Sequence, residues 1–466
     1  MIRASVFPAV LAVCLVGVSV RARVLSVPDS FPTIQAGIDA SAHGDTVLVA
    51  VNRYYENIDF RGHNIVVASQ FIIDSNLVWV AKTVIDGSQP ADPDTASCVR
   101  IVSGEDSTAQ LVGFTITGGA GTKWTDEHGA GLFREGGGIL IQGSSPVIRN
   151  NRIEDNAATN RTGCVSAGGG AIRVGDGNPR IVSSIVCNNV GRYGAGIVLN
   201  YSGATILNNL IAYNSGGEDY GGGGVWAYSD GPAPKSIENC AVAGNLSATL
   251  GGGMRFWSTG GLVRNCVVWG NSAPSGAQIY PTTVSPAVAY SDVQGGREGT
   301  GNIDADPNWS PDNLMLHSPS PCIDSGDPDP AYYDPDSAGA ARWPALGTLR
   351  NDMGAYGGPL AQNLGASMSG TAEDCPRNAR PEFGLECVPQ PFRRTATIRF
   401  TVPASRYVNL AVYDALGRRV KTVVDGPLPA GCHSVALDAR GLGAGIYACR
   451  LLVGERYATK VIVVTD

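Results

Sequence analysis

Through the middle of the chain, apolar and polar residues alternate with a period of two in short bursts, each bounded by glycine at its start and asparagine beyond its end. "GGGILI" at Gly136, "GGGAIRV" at Gly168, "GAGIVL" at Gly194, "GGGGVWA" at Gly221 and "GGGMRF" at Gly251 open five of them. The first apolar residues of the bursts are Ile139, Ile172, Ile197, Val225 and Met254, spaced 33, 25, 28 and 29 residues apart. A second signature follows in every unit: "VIRNNRIEDN", "IVSSIVCNN", "ILNNLIAYN", "IENCAVAGN" and "VRNCVVWGN", ending at Asn156, Asn189, Asn214, Asn245 and Asn271. From strand opening to that asparagine is 17 residues in four units and 20 in the fourth, so insertions fall mainly between the asparagine and the next glycines.

A period of two is the repeat of a strand, and short strands recurring at this interval with turn residues between them predict a parallel solenoid. Each unit makes one coil of about three strands, and coils stacked about 4.8 Å apart bury a continuous apolar column. The glycines are then repeat turns. "GGGGVW" lacks the GK[ST] of a phosphate loop and no long helix follows it. Asn150, Asn208, Asn239 and Asn265, interrupted by Ser183, fall in one column at a turn, where asparagine tolerates left-handed backbone and stacked amides form a ladder. The alternative role for such a column is as sugar ligands. Cys240 and Cys266 share a column on consecutive coils, either as stacked buried thiols or as an inter-coil disulfide.

On these motifs the chain resembles the right-handed parallel β-helix proteins of the pectate-lyase-like superfamily. "FPTIQAGIDASAHGDTVLVAVNRYYENIDFRGHNIVVAS" resembles their opening segment, which implies an amphipathic helix with Ile34 and Ile38 on one face capping the core. "TVIDGS" at Thr83 and "LVGFTITGG" at Leu111 resemble coil fragments, and "ADPNWSPDNLMLHSPSPCIDSGDP" with "NDMGAYGG" resembles a closing segment. The paired aspartates with Gly-His-Gly of polygalacturonases are absent, as is the Arg-x-Pro-x-x-Arg element of pectate lyases. The resemblance therefore implies the fold more than an activity.

Beyond Ala361 the repeat stops. The strand-like runs "TATIRFTV", "YVNLAVYD", "HSVALDA", "GIYACRLL" and "ATKVIVVT" predict a small Ig-like sandwich. Cys432 and Cys449 flank a candidate hairpin, where the alternatives are a disulfide between facing strands or two free thiols. "VYDALGRRV", "LPAGCHSVALDARGLGAGIYACRL" and "KVIVV" are similar to the C-terminal sorting domains of type IX secretion and to related hook-capping-protein-like Ig domains, although "PQPFRR" stands where those domains carry Pro-Asn-Pro-Phe-Asn-Pro. The similarity implies export across a bacterial outer membrane, with secretion machinery as one partner. The expected organisation is all-β: a signal peptide at 1–22, a right-handed parallel β-helix at 23–360, a linker at 361–386 and an Ig-like sorting domain at 387–466.

Charge and termini agree with a life outside the cell. The formal net charge of −7 argues against nucleic acid as the main partner. Arg3 followed by the apolar run from Val6 to Val18, with small residues near Ala22, reads as a secretory signal rather than a membrane span. The ten cysteines after it form no CxxC pair, and no metal constellation is present; calcium at loop carboxylates is the one cation considered, without a motif.

If Ile139 and its equivalents point inward, the alternation sends Leu140, Gln142, Arg173, Val198, Asn200, Trp226, Tyr228, Arg255 and Trp257 outward. Arg173, Trp226, Tyr228, Arg255 and Trp257 are the candidate binding residues: flat rings stack on sugar faces, and arginine forks to carboxylates of an acidic glycan; the alternative is that long loops cover this face and the aromatics pack beneath them. The insertion "AGTKWTDEHGAGLFREG" adds Trp124, Asp126, Glu127, His128, Arg134 and Glu135 nearby, and Glu218, Asp219 and Tyr220 precede the glycines at Gly221. No catalytic residue is assigned. The expected function is a secreted or surface-held monomer that binds polysaccharide on an exposed strand face. The alternative is a polysaccharide lyase or glycoside hydrolase acting on an acidic polysaccharide.

Overall fold

The computed structural model describes residues 22–229, 235–310, 313–365, 385–388, 392–402, 406–414, 418–428, 431–453 and 456–465. The signal peptide and most of the linker expected from the sequence lie outside them, as do Cys375 and the side chain of Cys432. The chain divides into two compact units, Met1–Gly365 and Ala366–Asp466.

The first unit is a parallel β-solenoid. A first sheet runs in ten strands from Val24–Val27 to Ala287–Ala289, and a second in nine from Asn52–Tyr54 to Asp292–Val293. A third sheet stacks Ile58–Asp59, Val99–Ile101, Ile139–Gln142, Ile172–Gly175, Ile197–Asn200, Val225–Tyr228, Met254–Trp257 and Ile279–Pro281. In its register Ile139, Ile172, Ile197, Val225, Met254 and Ile279 form one inward column, as the alternation requires. Ile148 and Ile153, from the first and second sheets, bury in the same core, and helix Ile34–Asp39 closes its end with Ile34 and Ile38 fully buried. A fourth, irregular sheet carries the coils from the second sheet to the third; two of its strands, Gly121–Thr125 and Leu132–Glu135, form an antiparallel hairpin.

In the coils from Gly136 to Gly270 the corners are turned by residues with positive φ. Gly222 has φ +77°, and a Cβ on Gly223 would come within 2.4 Å of the Gly252 carbonyl on the next coil, so "GGGG" serves both left-handed geometry and close stacking. Asn150, Ser183, Asn208, Asn239 and Asn265 are all left-handed, at φ 46–55°, at the corner between the first and second sheets.

The continuous amide ladder stands one corner further on. Asn156 Nδ2 donates to Asn189 Oδ1 at 3.0 Å, and the links Asn189–Asn214, Asn214–Asn245 and Asn245–Asn271 are each 2.9 Å. Each Oδ1 also accepts the backbone N–H of the preceding asparagine, while each Nδ2 reaches back to a carbonyl of the preceding coil, as Asn214 does to Val186. The column expected to form the ladder keeps one rung, Asn265 Nδ2 to Asn239 Oδ1 at 3.5 Å, and otherwise docks the closing segment. Asn208 Nδ2 donates to the carbonyls of Ala355 and Gly357, Asn239 Nδ2 to that of Asp352, and Asn265 Oδ1 accepts the Asp327 N–H. Those side chains project outward, where a returning segment with unpaired backbone meets them. Cys240 and Cys266 do share a column, as free, fully buried thiols.

The closing segment buries two carboxylates. Asp334 accepts the N–H groups of Asp352 and Gly358, and Asp352 those of Asp324 and Leu346. Burial first, and a neighbouring carboxylate second, push Asp334 up to about 8 and Asp352 to about 7.

The second unit comprises two antiparallel sheets, one of Leu385–Val388, Thr395–Val402 and Gly431–Asp438, the other of Arg419–Leu428, Arg406–Tyr413, Gly445–Val453 and Arg456–Val464. They share a core that includes Ile398, Leu410, Leu437 and Leu451, the arrangement of a small sandwich. The strands carrying Cys432 and Cys449 belong to different sheets and form no hairpin with each other, because each finds its ladder with an earlier strand.

Two outcomes are expected. Asn214→Leu orphans buried partners on both neighbouring coils, each costing about 1–3 kcal/mol, so chemical denaturation should show a loss of about 3 kcal/mol or more. Aspartates whose folded pKa lies above the unfolded value of about 3.9 hold protons that unfolding releases. Their stabilisation is complete below that value and lost as pH rises through about 7 to 8. Thermal melts should therefore show a lower midpoint at pH 8.5 than at pH 5, and Asp334→Asn should narrow that difference.

Candidate functional site

The outward columns of the third sheet set the site. In one, Arg100, Leu140, Arg173, Val198, Trp226, Arg255 and Tyr280 stand in register; in the other, Gln142, Gly175, Asn200, Tyr228 and Trp257. All five candidate residues therefore face away from the solenoid core, yet the face is not open. The insertion before Gly136 folds as the antiparallel hairpin and lies over it. Buried Arg134 ties the hairpin base, with Nη1 to the carbonyls of Pro93 and Gly121 and Nη2 to Asp94 at 2.7 Å.

Covering the face changes what the arginines do. Arg173 is 1% exposed, its Nε 2.8 Å from Glu135 Oε2 and its Nη1 donating to Gln142. Arg255 is also buried; it donates to the Tyr220 carbonyl and lies 4.7 Å over the Trp257 ring. The expectation that both present free guanidinium groups on an exposed face is thus corrected: the hairpin carboxylate Glu135 occupies Arg173, and the Tyr220 carbonyl of the loop before Gly221 occupies Arg255. Trp226 is buried as well, while Tyr228 and Trp257 are half-buried.

Between the hairpin and the sheet a pocket of about 320 Å³ remains. Its walls are aromatic. Trp226 stacks on Tyr228 at 5.5 Å and meets Tyr193 and Trp257 edge-on at 5.2 and 6.3 Å. Tyr220 tilts against Trp257, and Tyr201 stands edge-on to Tyr228 with His128 stacked on it at 3.5 Å. A polar chain supports this wall: His128 contacts Asp176 at 2.8 Å, Gln142 Nε2 donates to Asp176, and Arg173 joins Gln142 to Glu135.

Two carboxylates line the pocket. Glu135 is engaged at both oxygens, by the Tyr193 hydroxyl and by Arg173. Burial pushes its pKa up, against the pull of Arg173. Asp126 Oδ1 accepts the N–H groups of His128 and Ala130, fixing the hairpin turn, whereas Oδ2 has only Asn200 Nδ2, at 3.4 Å. Two buried polar atoms on the lining have no partner: Asn200 Oδ1 and Trp226 Nε1. Glu218 and Asp219 pair with Arg192, and the Trp124 indole donates to Glu127, so these groups serve the loops. Among the described residues, no group of three His, Cys, Asp or Glu is placed to hold a metal ion.

The sequence reading missed Phe133, Tyr193 and Tyr201 as lining residues. Tyr193 precedes Gly194 as Tyr220 precedes Gly221, a repeat-phase signal that marks both as neighbours of the same face.

Residues 387–465 match the family model described as "Secretion system C-terminal sorting domain". That module marks the protein for export to the cell surface or beyond it, and engages secretion machinery. Among the described residues no helix is long and apolar enough to cross a membrane. No curated protein matches the chain significantly in sequence. Two solved structures of pectin methylesterase, each in complex with a hexasaccharide, are similar at 10% identity with TM-scores of 0.31 and 0.32. They cover 65% and 63% of this chain and 98% and 96% of their own. The fold assignment rests on the strand registers above, not on that likeness.

Because Arg173 leaves Glu135 as a buried unpaired charge when removed, Arg173→Met should cost about 3–5 kcal/mol. Adding Glu135→Gln should recover most of it, read as a double-mutant cycle in denaturant.

Proposed function

We propose that this exported protein binds glycan, and that the walled pocket receives one or two sugar residues. The observation that carries the reading is the aromatic lining combined with the unpartnered Asn200 Oδ1 and Trp226 Nε1. Sugars offer C–H faces to aromatic rings and hydroxyls to buried polar atoms, and a buried polar atom without a partner is costly unless a ligand satisfies it. A volume of about 320 Å³ is at the lower end for a small-molecule site and suits a chain end or a single residue better than a long polymer.

Binding is favoured over turnover by the state of the carboxylates. A glycosidase needs one carboxyl group free to give a proton and a second free to act as base or nucleophile. Glu135 is held at both oxygens, and Asp126 Oδ1 is spent on the hairpin turn. A lyase acting on an acidic polysaccharide needs a cation facing the uronate, and among the described residues no lysine or arginine lines the pocket.

Passing the secreted protein over a panel of immobilised neutral, amino and acidic polysaccharides should give retention on the first two classes, without new reducing ends or unsaturated products. Tyr228→Ala and Trp257→Ala should each weaken retention at least tenfold with little change in thermal midpoint. Product formation would instead establish an enzyme, and no retention on any polymer would overturn the glycan reading.

A further inference from the structure

We infer that the pocket selects a ligand bearing an ammonium group, in the glycan setting an amino sugar with a free amine. This rests on the glycan reading above and narrows its substrate class. The walls meet at steep angles around the cavity: Trp226 against Trp257 at 90°, Tyr201 against Tyr228 at 89° and Tyr228 against Trp257 at 71°. Rings set this way line the pocket with both edges and faces, and a desolvated cation is attracted to the faces. Trp257 carries Arg255 on one face, Tyr201 carries His128, and Trp226 and Tyr228 cover one face of each other, which leaves at most one face of each ring for a ligand.

The polar atoms point the same way. Asp126 Oδ2 and Asn200 Oδ1 are acceptors with spare capacity, on side chains 8% exposed and linked to each other at 3.4 Å. The Asn200 amide orientation follows from its neighbour, because only Nδ2 can face the Asp126 carboxylate favourably. Set against these acceptors is one unpartnered donor, Trp226 Nε1. The nearby cations are spent: Arg173 on Glu135 and Gln142, Arg255 on the Tyr220 carbonyl. An N⁺–H donor satisfies both acceptors and the π-faces, whereas a carboxylate would meet Asp126 with no cation to offset it.

The test titrates the full secreted chain with glucosamine, N-acetylglucosamine, glucose, galacturonate and choline, following tryptophan fluorescence and calorimetric heat. Glucosamine should bind at least tenfold more tightly than glucose, N-acetylglucosamine or galacturonate. Asp126→Asn, which keeps the Oδ1 acceptor of the turn, should abolish most of that preference. The comparison of glucosamine with glucose on the unaltered protein stands even if the variant fails to fold. Equal binding of glucosamine and the neutral sugars, or tighter binding of galacturonate, would overturn the ammonium inference and leave the glycan reading intact. Binding of choline without any sugar would sustain the ammonium site and sink the glycan reading. Absence of binding by all five would overturn both.

Discussion

A solenoid survives only if each coil turns its corners without leaving a buried peptide group unpaired. The ladder from Asn156 to Asn271 meets that demand, because each amide binds the coil before it and the coil after it. Strand ladders tie coils along the sheets, but the corners carry left-handed residues that interrupt them. Side-chain amides restore continuity there, in a core where an orphaned donor or acceptor costs a sizeable part of the total stability.

Fixed corners fix register, and register makes the site. With Ile139, Ile172, Ile197, Val225 and Met254 held in one inward column, their neighbours are obliged to line up outward. Trp226 then stands beside Arg255, and Tyr228 beside Trp257, on adjacent coils. One hairpin inserted before Gly136 roofs this face and brings Glu135 against Arg173 and Asp126 beside Asn200. The roof turns an open sheet into a pocket with an aromatic wall and few spare polar atoms. Its electrostatic character follows: the guanidinium groups that would have favoured an anion are consumed in holding the roof and the adjacent loop.

Much of this was legible in the sequence, for a physical reason. A period of two and recurring turn residues are local signals, and stacking multiplies them, so the inward column, the outward aromatics and the shared column of Cys240 and Cys266 follow from spacing, while the capping role of Ile34 and Ile38 is implied by the resemblance of the opening segment. The burial of Arg173 and Arg255 does not. It depends on a hairpin that breaks the repeat and on an ion pair between residues far apart in sequence, neither of which has a periodic signature. The two asparagine columns show the same limit. Both are visible as repeats, but which one ladders and which one docks the closing segment is decided by where Asn351 to Gly357 return, a tertiary fact.

The most direct test of the account is a crystal structure of the secreted protein soaked with an oligosaccharide that ends in an unacetylated amino sugar. The account requires that terminal residue to lie between Trp226 and Tyr201, its nitrogen within hydrogen-bond distance of Asp126 Oδ2 and Asn200 Oδ1. A saccharide lying along another face of the solenoid, with the pocket unengaged, would contradict it.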